Sequence, residues 1–259
     1  MRAGKVEKYI LDTVARDGGM LFAVIDPADH PSAEVAAKRG IAAAEAGSDV
    51  VLVSGSTMVQ GELLDDTVKQ IKEKSSVPVV IFPGNISMIC KHADAFYFHR
   101  VLNSRNPYWI TGVHTLGAPV LKRYGVEPLP VGYIVVEYGT TVGWVSDANF
   151  VPDNKPQIAA ALALGGEYSG SRIIVLDKGS SPPTGPVKTE MIKAVRAVID
   201  PLMPLVSAGG IRTTKQAGEA ILAGADAIQV GTIFEEGGNT RKLAEGFVKA
   251  VKSAGKRKV

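Results

Sequence analysis

The sequence is poor in the features that mark secreted, zinc-binding or membrane-spanning proteins. Its 259 residues include a single cysteine, Cys90, which excludes a disulfide framework and a Cys/His zinc site. No apolar run approaches the roughly 18 residues of a membrane-spanning helix, and no signal-peptide pattern begins the chain. We therefore expect a reduced, cytoplasmic protein.

Aromatic side chains and excess charge are also scarce. Aromatic residues make up 6% of the chain and hydrophobic residues 46%, which fits β-branched strands covered by alanine-rich helices. The formal net charge of +3 suits an anionic substrate and does not point to nucleic acid. The densest basic run, at 256–258, is typical of a solvated tail.

Short β-branched segments alternate with longer segments rich in alanine, lysine and glutamate. The predicted strands span 20–25, 49–54, 78–82, 95–99, 132–137, 172–177, 205–208 and 227–230. Their nearly continuous apolar composition indicates burial on both faces, as in parallel sheets. Since one eight-fold β/α barrel takes roughly 250 residues, the sequence predicts a single (β/α)8 TIM-barrel domain over 1–259.

The segments between these strands are unequal. Helices are expected over 31–46 and 61–74, and Thr213 with Gln216 forms a candidate capping box before a helix that Gly224 would close. The gap between the third and fourth strands leaves room for one or two helical turns. The third unit is therefore expected to be irregular.

Glycines follow the seventh and eighth predicted strands. Gly209 and Gly210 separate a strand from a capped helix, and Gly231 with Thr232 repeats this arrangement on the next strand. In β/α barrels the loops after these two strands often form a phosphate site with a short helix, expected here at 231–236. The glycines could instead only make tight turns, but two pairs at adjacent strand ends favour phosphate binding.

Two carboxylates are expected at the catalytic end of the barrel. Asp26 ends the first strand, where it could hold Mg²⁺ with a hydroxyl or carbonyl of Ser56. Asp177 ends the sixth strand and could orient or deprotonate a substrate hydroxyl, while Lys178 beside it could meet a phosphate. The alternatives are a turn cap at Asp26, a turn residue at Ser56 and a solvated surface lysine at Lys178.

An aromatic segment follows the fifth strand, and the histidines are dispersed. Residues 133–144 read Tyr-Ile-Val-Val-Glu-Tyr-Gly-Thr-Thr-Val-Gly-Trp. This segment could line an apolar groove or an oligomer contact, with Trp144 at an interface or in the core. Core or surface roles are favoured for the histidines, since no metal-site or triad spacing relates His30, His92, His99 and His114.

Together these motifs resemble those of geranylgeranylglyceryl phosphate synthases. The shared motifs are Leu-Phe-Ala-Val-Ile-Asp-Pro-Ala-Asp at 21–29, Val-Ser-Gly-Ser-Thr at 53–57, Ser-Ala-Gly-Gly-Ile-Arg-Thr at 207–213 and Val-Gly-Thr at 230–232. The stretch at 133–144 is the most specific part, and the similarity spans nearly the whole chain. The family's barrel has a degenerate third helix, which matches the short gap after the third predicted strand.

The resemblance implies a particular reaction and site. The family transfers a geranylgeranyl group from geranylgeranyl diphosphate to the 3-hydroxyl of sn-glycerol 1-phosphate, the first committed step of archaeal ether-lipid synthesis. It implies Mg²⁺ held by Asp26 and Ser56, with Asp26 and Asp177 catalytic. It also implies a homo-oligomer, a dimer or an assembly of dimers, and transient contact with a membrane surface. Glycerol phosphate is expected at Val175, Leu176, Asp177, Lys178, Gly179, Ser180, Ser181, Gly209, Gly210, Gly231 and Thr232.

One segment departs from the family pattern. The loop after the sixth strand begins Tyr-Leu-Glu in the family and Val-Leu-Asp here, so Val175 brings no phenol and Asp177 is one methylene shorter. The acceptor could therefore sit differently, or could be another polyol phosphate.

Two other functions fit part of the pattern. A phosphate-binding barrel isomerase or lyase acting on a small phosphorylated metabolite would share the glycine turns. It would need a paired acid and base, or a Schiff-base lysine, at the strand ends. A barrel that binds a phosphate ligand without turnover is the remaining alternative.

Overall fold

Eight parallel strands close into a barrel in the order β1 to β8, which confirms the predicted (β/α)8 fold. The structure, a computed structural model, describes residues 3–57, 59–235 and 238–258. The strands are β1 Met20–Ile25, β2 Val50–Gly55, β3 Val79–Pro83, β4 Ala95–Val101, β5 Glu127–Val135, β6 Ile173–Asp177, β7 Leu205–Ala208 and β8 Ala227–Val230.

Helices cover the outside of the barrel. They are α1 Lys5–Asp17, α2 Ala33–Glu45, α3 Gly61–Lys74, α4 Val113–Tyr124, α5 Thr140–Val145, α6 Pro156–Tyr168, α7 Thr189–Arg196, α8 Thr214–Leu222, α9 Thr232–Glu235 and α10 Thr240–Gly255. The capping box of Thr213 and Gln216 forms at the start of α8, as predicted. Within the described ranges, no helix is long and apolar enough to cross a membrane.

The unit after β3 lacks a full helix, in line with the short gap in the sequence. A single 3-10 turn, Ile86–Met88, joins β3 to β4. The space that a helix would fill remains as an apolar cleft of about 310 Å³, lined by Ile86, Ile89, Phe96 and Val113 among others. The missing helix therefore leaves an apolar cleft beside the carboxyl ends of β3 and β4.

Strand β5 begins five residues before the predicted start, because Pro128 and Pro130 are not expected inside a strand. Pro128 and Pro130 have no backbone N–H, and the sequence pattern therefore indicated a loop. In the structure the Glu127 N–H points toward β4 and donates to the Asp94 carbonyl oxygen. Because backbone groups alternate in direction along a strand, the backbone positions of Pro128 and Pro130 face β6. Strand β6 pairs with β5 only from Val131 onward, and the prolines consequently forgo no ladder bond.

The amino end of the barrel is closed, whereas the carboxyl end is open. Val6 and Ile10 of α1 pack with the barrel-interior side chains, and the Glu127 carboxylate accepts hydrogen bonds from the Val6 and Glu7 N–H groups at 2.8 and 2.9 Å. Helix α1, which the sequence reading did not assign, thus seals one end. A ligand has to enter from the carboxyl ends of the strands.

Candidate active site

A cavity opens at the carboxyl ends of the strands, where barrels of this kind place their active sites. Its volume is about 1110 Å³ including the open mouth, and every strand except β5 contributes to its lining, with α5 covering the β5 side. The predicted site residues that line it are Asp26, Ser56, Asp177, Gly179, Ser180, Ser181, Gly209, Gly210, Gly231 and Thr232. The fold thus brings segments from five different loops to one space.

The turn after β7 depends on two glycines in the left-handed region. Gly209 and Gly210 have φ values of +80° and +74°. A Cβ on Gly209 would lie 2.6 Å from the Gly179 carbonyl oxygen and 2.7 Å from Asp177 Oδ1. Another on Gly210 would lie 2.7 Å from the Gly185 carbonyl carbon. The turn after β7 is therefore in direct contact with the loop after β6, and the two form one unit.

The turn after β8 has a related construction. Gly231 leads into the short helix α9, and a Cβ on it would lie 3.2 Å from the Val24 side chain on β1. Thr232 begins α9, so backbone N–H groups at that helix start face the cavity mouth. The predicted short helix at 231–236 is present through Glu235, and Glu236 lies outside the described residues.

Asp177 is a buried carboxylate with a fixed orientation. Its Oδ2 accepts a hydrogen bond from the Tyr133 hydroxyl, and its Oδ1 accepts one from the Gly179 N–H at 2.7 Å. Burial raises the pKa of Asp177, although both hydrogen bonds act in the opposite direction. The sequence predicted that residues 133–144 line an apolar groove or an oligomer contact. It did not identify the Tyr133 hydroxyl as a partner of Asp177.

The two residues before Asp177 do not line the cavity. Side chains alternate across a strand, so Val175 points into the barrel interior below the cavity. Leu176 points outward and packs in the layer between barrel and helices, where Met191 and Ile192 of α7 also lie. Only their backbone is available to a ligand in the cavity.

Lys178 is neither a solvated surface lysine nor directed at the cavity, where it could meet a phosphate. The structure corrects both predictions for this residue. It is completely buried, and its Nζ donates to both Asp153 carboxylate oxygens at 2.7 and 2.9 Å and to Thr184 Oγ1 at 2.8 Å. Asp153 lies between β5 and α6, and Thr184 lies further along the loop of Lys178. The lysine therefore ties the loop after β6 to its neighbour.

Carboxylates gather at the β1 end of the cavity. Asp26 Oδ1 accepts a hydrogen bond from the Ala28 N–H at 2.9 Å and lies above Gly55 of β2. Burial raises the pKa of Asp26 to about 6. Glu235 of α9, which the sequence reading missed, has its pKa raised to about 7 by burial and by the charges of Asp29 and Asp26. Among the residues that the structure describes, no cationic side chain lowers the pKa of Asp26 or Glu235.

The β3 to β5 side of the cavity is aromatic. An aromatic wall of five rings lines or underlies it: Phe82, Tyr97, His99, Trp109 and Tyr133. The His99 ring stacks on Trp109 with centroids 5.9 Å apart, and burial lowers the pKa of His99 to about 4. A neutral histidine in this wall fits the expected core role, and it also faces the cavity.

Trp144 occupies the surface. Its side chain is 82% exposed, which excludes the core role that the sequence left open for it. Neighbouring residues of α5, Thr141, Val142 and Val145, are those that line the cavity.

Charge is unevenly distributed around the cavity. Its lining includes the carboxylates of Asp26, Asp29, Asp177 and Glu235, whereas Arg212 is the one basic side chain of the described lining. Arg212 Nη1 donates to Ser181 Oγ at 3.3 Å, beside the glycine turn. An anionic ligand therefore finds backbone donors and Arg212 at the β7 end, and needs an added cation at the β1 end.

Fold and site together define a (β/α)8-barrel protein with a candidate active site at the carboxyl ends of its strands. A sequence profile described as the PcrB family matches residues 18–253. Similar proteins include the geranylgeranylglyceryl phosphate synthases of Thermococcus kodakarensis, 48% identical with 95% of each chain covered, and of Pyrococcus horikoshii, 48% identical with 91% of each covered. The chain belongs to the PcrB family, and the resemblance inferred from its sequence is confirmed.

Solved structures agree with this assignment. The (S)-3-O-geranylgeranylglyceryl phosphate synthase of Thermoplasma acidophilum, in complex with substrate sn-glycerol-1-phosphate, superposes with a TM-score of 0.90 at 32% identity, covering 97% of this chain and all of that one. Wild-type GGGPS from Thermoplasma volcanium gives 0.88 at 35% identity, covering 94% and 98%. A thiamine phosphate pyrophosphorylase from Pyrococcus furiosus, 13% identical with a TM-score of 0.60, shares the fold alone.

We expect Lys178→Met to lower the free energy of unfolding by about 3 kcal/mol, because Asp153 then keeps a poorly hydrated charge without its cation. The matched control is Lys188→Met, whose ammonium lies 4.0 Å from the same carboxylate but is half exposed, and we expect a loss below about 1 kcal/mol there. Urea unfolding followed by circular dichroism measures both. Equal losses in the two variants would contradict the assigned role of the buried pair.

Proposed function

We propose that this protein transfers a geranylgeranyl group from geranylgeranyl diphosphate to the 3-hydroxyl of sn-glycerol 1-phosphate. The observation that carries the proposal is one cavity with a glycine cradle and a buried carboxylate at one end and a carboxylate cluster at the other. Relatives named for this activity at 48% identity support it, as does the related barrel with sn-glycerol-1-phosphate bound.

The acceptor phosphate would bind the backbone N–H groups of the two glycine turns. Gly209 and Gly210 on β7, with Gly231 and Thr232 on β8, expose backbone at adjacent strand ends. Backbone donors at a helix start favour phosphate without requiring a basic side chain. From there a three-carbon chain extends toward Asp177, which is in register with Ala208 immediately before the first glycine turn.

The carboxylate cluster at the β1 end fits a magnesium ion. Mg²⁺ is usually bound by one or two carboxylates together with substrate phosphates, rather than by a complete protein cage. In the described part of the chain, no group of three or more Asp, Glu, His or Cys side chains is arranged to hold a metal ion alone. We therefore assign the metal to Asp26 with Ser56, completed by diphosphate oxygens. Bound there, Mg²⁺ would neutralise the charge that develops on the leaving diphosphate.

Asp177 is the group that would orient the acceptor hydroxyl and take its proton. The new bond joins that oxygen to the allylic carbon while the bond from this carbon to the diphosphate oxygen breaks, so the products are the ether and diphosphate. Burial raises the pKa of Asp177, which makes it a stronger base than a solvated aspartate. The Tyr133 hydroxyl and the Gly179 N–H hold its two oxygens in place before substrate binds.

The prenyl tail requires an apolar route out of the cavity. The cavity and the cleft left by the missing helix share walls of Pro83, His99 and Trp109. Ile86, Ile89 and Val113 continue the apolar surface beyond them. We assign the tail to this route, because hydrocarbon contacting the aromatic wall also keeps water away from the reacting carbon.

The isomerase or lyase alternative is not favoured, because the relatives at 48% identity are named geranylgeranylglyceryl phosphate synthase. It needs a Schiff-base lysine or a paired acid and base, and Lys178 is enclosed in its ion pair with Asp153. No other lysine lines the cavity among the residues that the structure describes.

The proposal is tested by incubating the protein with radiolabelled geranylgeranyl diphosphate and a panel of acceptors. We expect label to enter a prenylglyceryl phosphate with sn-glycerol 1-phosphate and Mg²⁺, and to fall to background with EDTA. A donor series of other chain lengths runs in parallel. Absence of product at every metal concentration, with folded protein, would refute the proposed activity.

We expect Asp26→Asn to reduce turnover by at least about 10²-fold, because the amide cannot supply the charge that holds the metal and its diphosphate. Binding of sn-glycerol 1-phosphate, measured calorimetrically without donor, should stay within about threefold since that site lies at the other end of the cavity. Loss of acceptor binding in this variant would place Asp26 in the acceptor site instead.

The raised pKa values at the β1 end predict a pH-dependent stability of the metal-free protein. The folded-state pKa of Glu235, about 7, exceeds its ordinary value of 4.5, so its protonation favours the folded state. This contribution is complete below about pH 4 and is lost as the pH rises through about 7. We expect Glu235→Gln to reduce the loss of stability between pH 5 and pH 8 by about 1–2 kcal/mol.

Urea unfolding in EDTA at both pH values measures this difference. Added Mg²⁺ should stabilise the wild-type protein more at pH 8 than at pH 5, because protons compete with the ion for the same carboxylates. An identical pH dependence in the wild-type protein and in Glu235→Gln would contradict the assigned cause.

A further inference from the structure

Gln229 of β8 is a buried carboxamide inside the barrel that the proposed chemistry does not use. Its side chain lines the cavity, and only 5% of the residue is exposed. Its Oε1 accepts a hydrogen bond from the Tyr97 hydroxyl of β4, 3.2 Å away across the barrel. The bond to Tyr97 fixes the carboxamide and leaves its amide nitrogen for another partner.

That nitrogen opens to the cavity. It has no hydrogen-bond partner among the described residues. It is also not one of the fully buried polar atoms that lack a partner, so it is accessible from the cavity. A buried amide donor is rarely left without a partner, because its desolvation costs about 1–3 kcal/mol. A ligand in the cavity would supply the acceptor oxygen.

The strand register places Gln229 beside the reacting end of the acceptor. Asp177 pairs with Ala208, and Ala208 pairs with Gln229. Neighbouring parallel strands lie roughly 4.8 Å apart, so a carboxylate and a carboxamide flank one small methyl group. The Gly209–Gly210 turn begins at the next residue, directly above that methyl group.

On the strands β6, β7 and β1, the other inward side chains near this level are apolar. On β6 and β7 they are Val175 and Val206, and on β1 they are Phe22 and Val24. Val175 in particular offers no polar atom to an acceptor. Among these inward side chains, Gln229 therefore offers a donor to an acceptor oxygen that neither the phosphate cradle nor Asp177 engages, while Ser54 and His99 line the cavity from β2 and β4.

We propose that Gln229 binds the 2-hydroxyl of the glycerol phosphate acceptor and so determines specificity for it. The inference rests on the proposed function. With the phosphate on the glycine turns and the 3-hydroxyl on Asp177, the 2-hydroxyl lies over Ala208 and accepts the Gln229 amide N–H. Tyr97 is a positioning residue that aligns the carboxamide.

The test compares two acceptors that differ by this hydroxyl alone, sn-glycerol 1-phosphate and 3-hydroxypropyl phosphate. In the wild-type protein we expect kcat/KM to be about 10- to 100-fold higher for glycerol phosphate, as for a site built around a substrate hydroxyl. In Gln229→Leu this preference should fall at least about tenfold, while the rate with 3-hydroxypropyl phosphate stays within about threefold. The surface variant Gln157→Leu should keep the wild-type preference.

Each outcome decides the proposal. A wild-type preference near one, or the same preference in wild type and Gln229→Leu, would overturn it, since a packing role for Gln229 would lower both rates alike. If Gln229→Leu does not fold, Tyr97→Phe is the second variant. In that variant the Gln229 carboxamide loses the hydrogen bond from Tyr97, and the preference for glycerol phosphate over 3-hydroxypropyl phosphate should fall about threefold. Product with neither acceptor in the wild-type protein would instead refute the proposed function.

Discussion

The site depends on the absence of side chains at Gly209 and Gly210. With φ values of +80° and +74°, these residues turn the chain sharply after β7 and let the loop after β6 rest on them. A Cβ at Gly209 would collide with the Gly179 carbonyl oxygen and with Asp177 Oδ1. Because the proposed phosphate cradle and the proposed base share this contact, a displacement of one would displace the other, and the two ends of a bound acceptor would keep a fixed separation.

The unequal distribution of charge follows from this geometry. In the proposed function, backbone donors would bind a phosphate at the β7 and β8 ends without a lysine, since Lys178 is engaged with Asp153 below the loop. At the β1 end, burial raises the pKa of Asp26 to about 6 and that of Glu235 to about 7, and repulsion from Asp29 adds to both shifts. In the proposed function, the protein would therefore distinguish its two phosphorylated ligands by the way it neutralises them, with backbone dipoles for one and a metal for the other.

The sequence predicted what local patterns determine. Apolar runs located the strands, and the glycine turns, Asp26 and Asp177 followed from strand order, since parallel strands bring their carboxyl ends together. The prediction was wrong at the start of β5, which depends on strand register. Pro128 and Pro130 argued against a strand there, although their missing N–H groups face a side where no strand pairs. Tyr133, which donates to Asp177, comes from β5, and Asp153, which pairs with Lys178, comes from the segment between α5 and α6, so only the three-dimensional arrangement shows these two contacts. Glu235 could have been found, because the predicted short helix after Gly231 already contained it.

The departure at the loop after β6 is compatible with catalysis because of how Asp177 is anchored. Its Oδ2 takes the Tyr133 hydroxyl from β5 and its Oδ1 takes the Gly179 N–H from its own loop, so the shorter side chain has no rotational freedom left. On the opposite side of the loop, Lys178 is bound to Asp153 and Thr184. The loop is therefore fixed on both faces before any ligand arrives. If Asp177 is the base, as proposed, it would need no rearrangement at the moment of proton transfer, which would compensate for the missing methylene and for the phenol that Val175 does not provide.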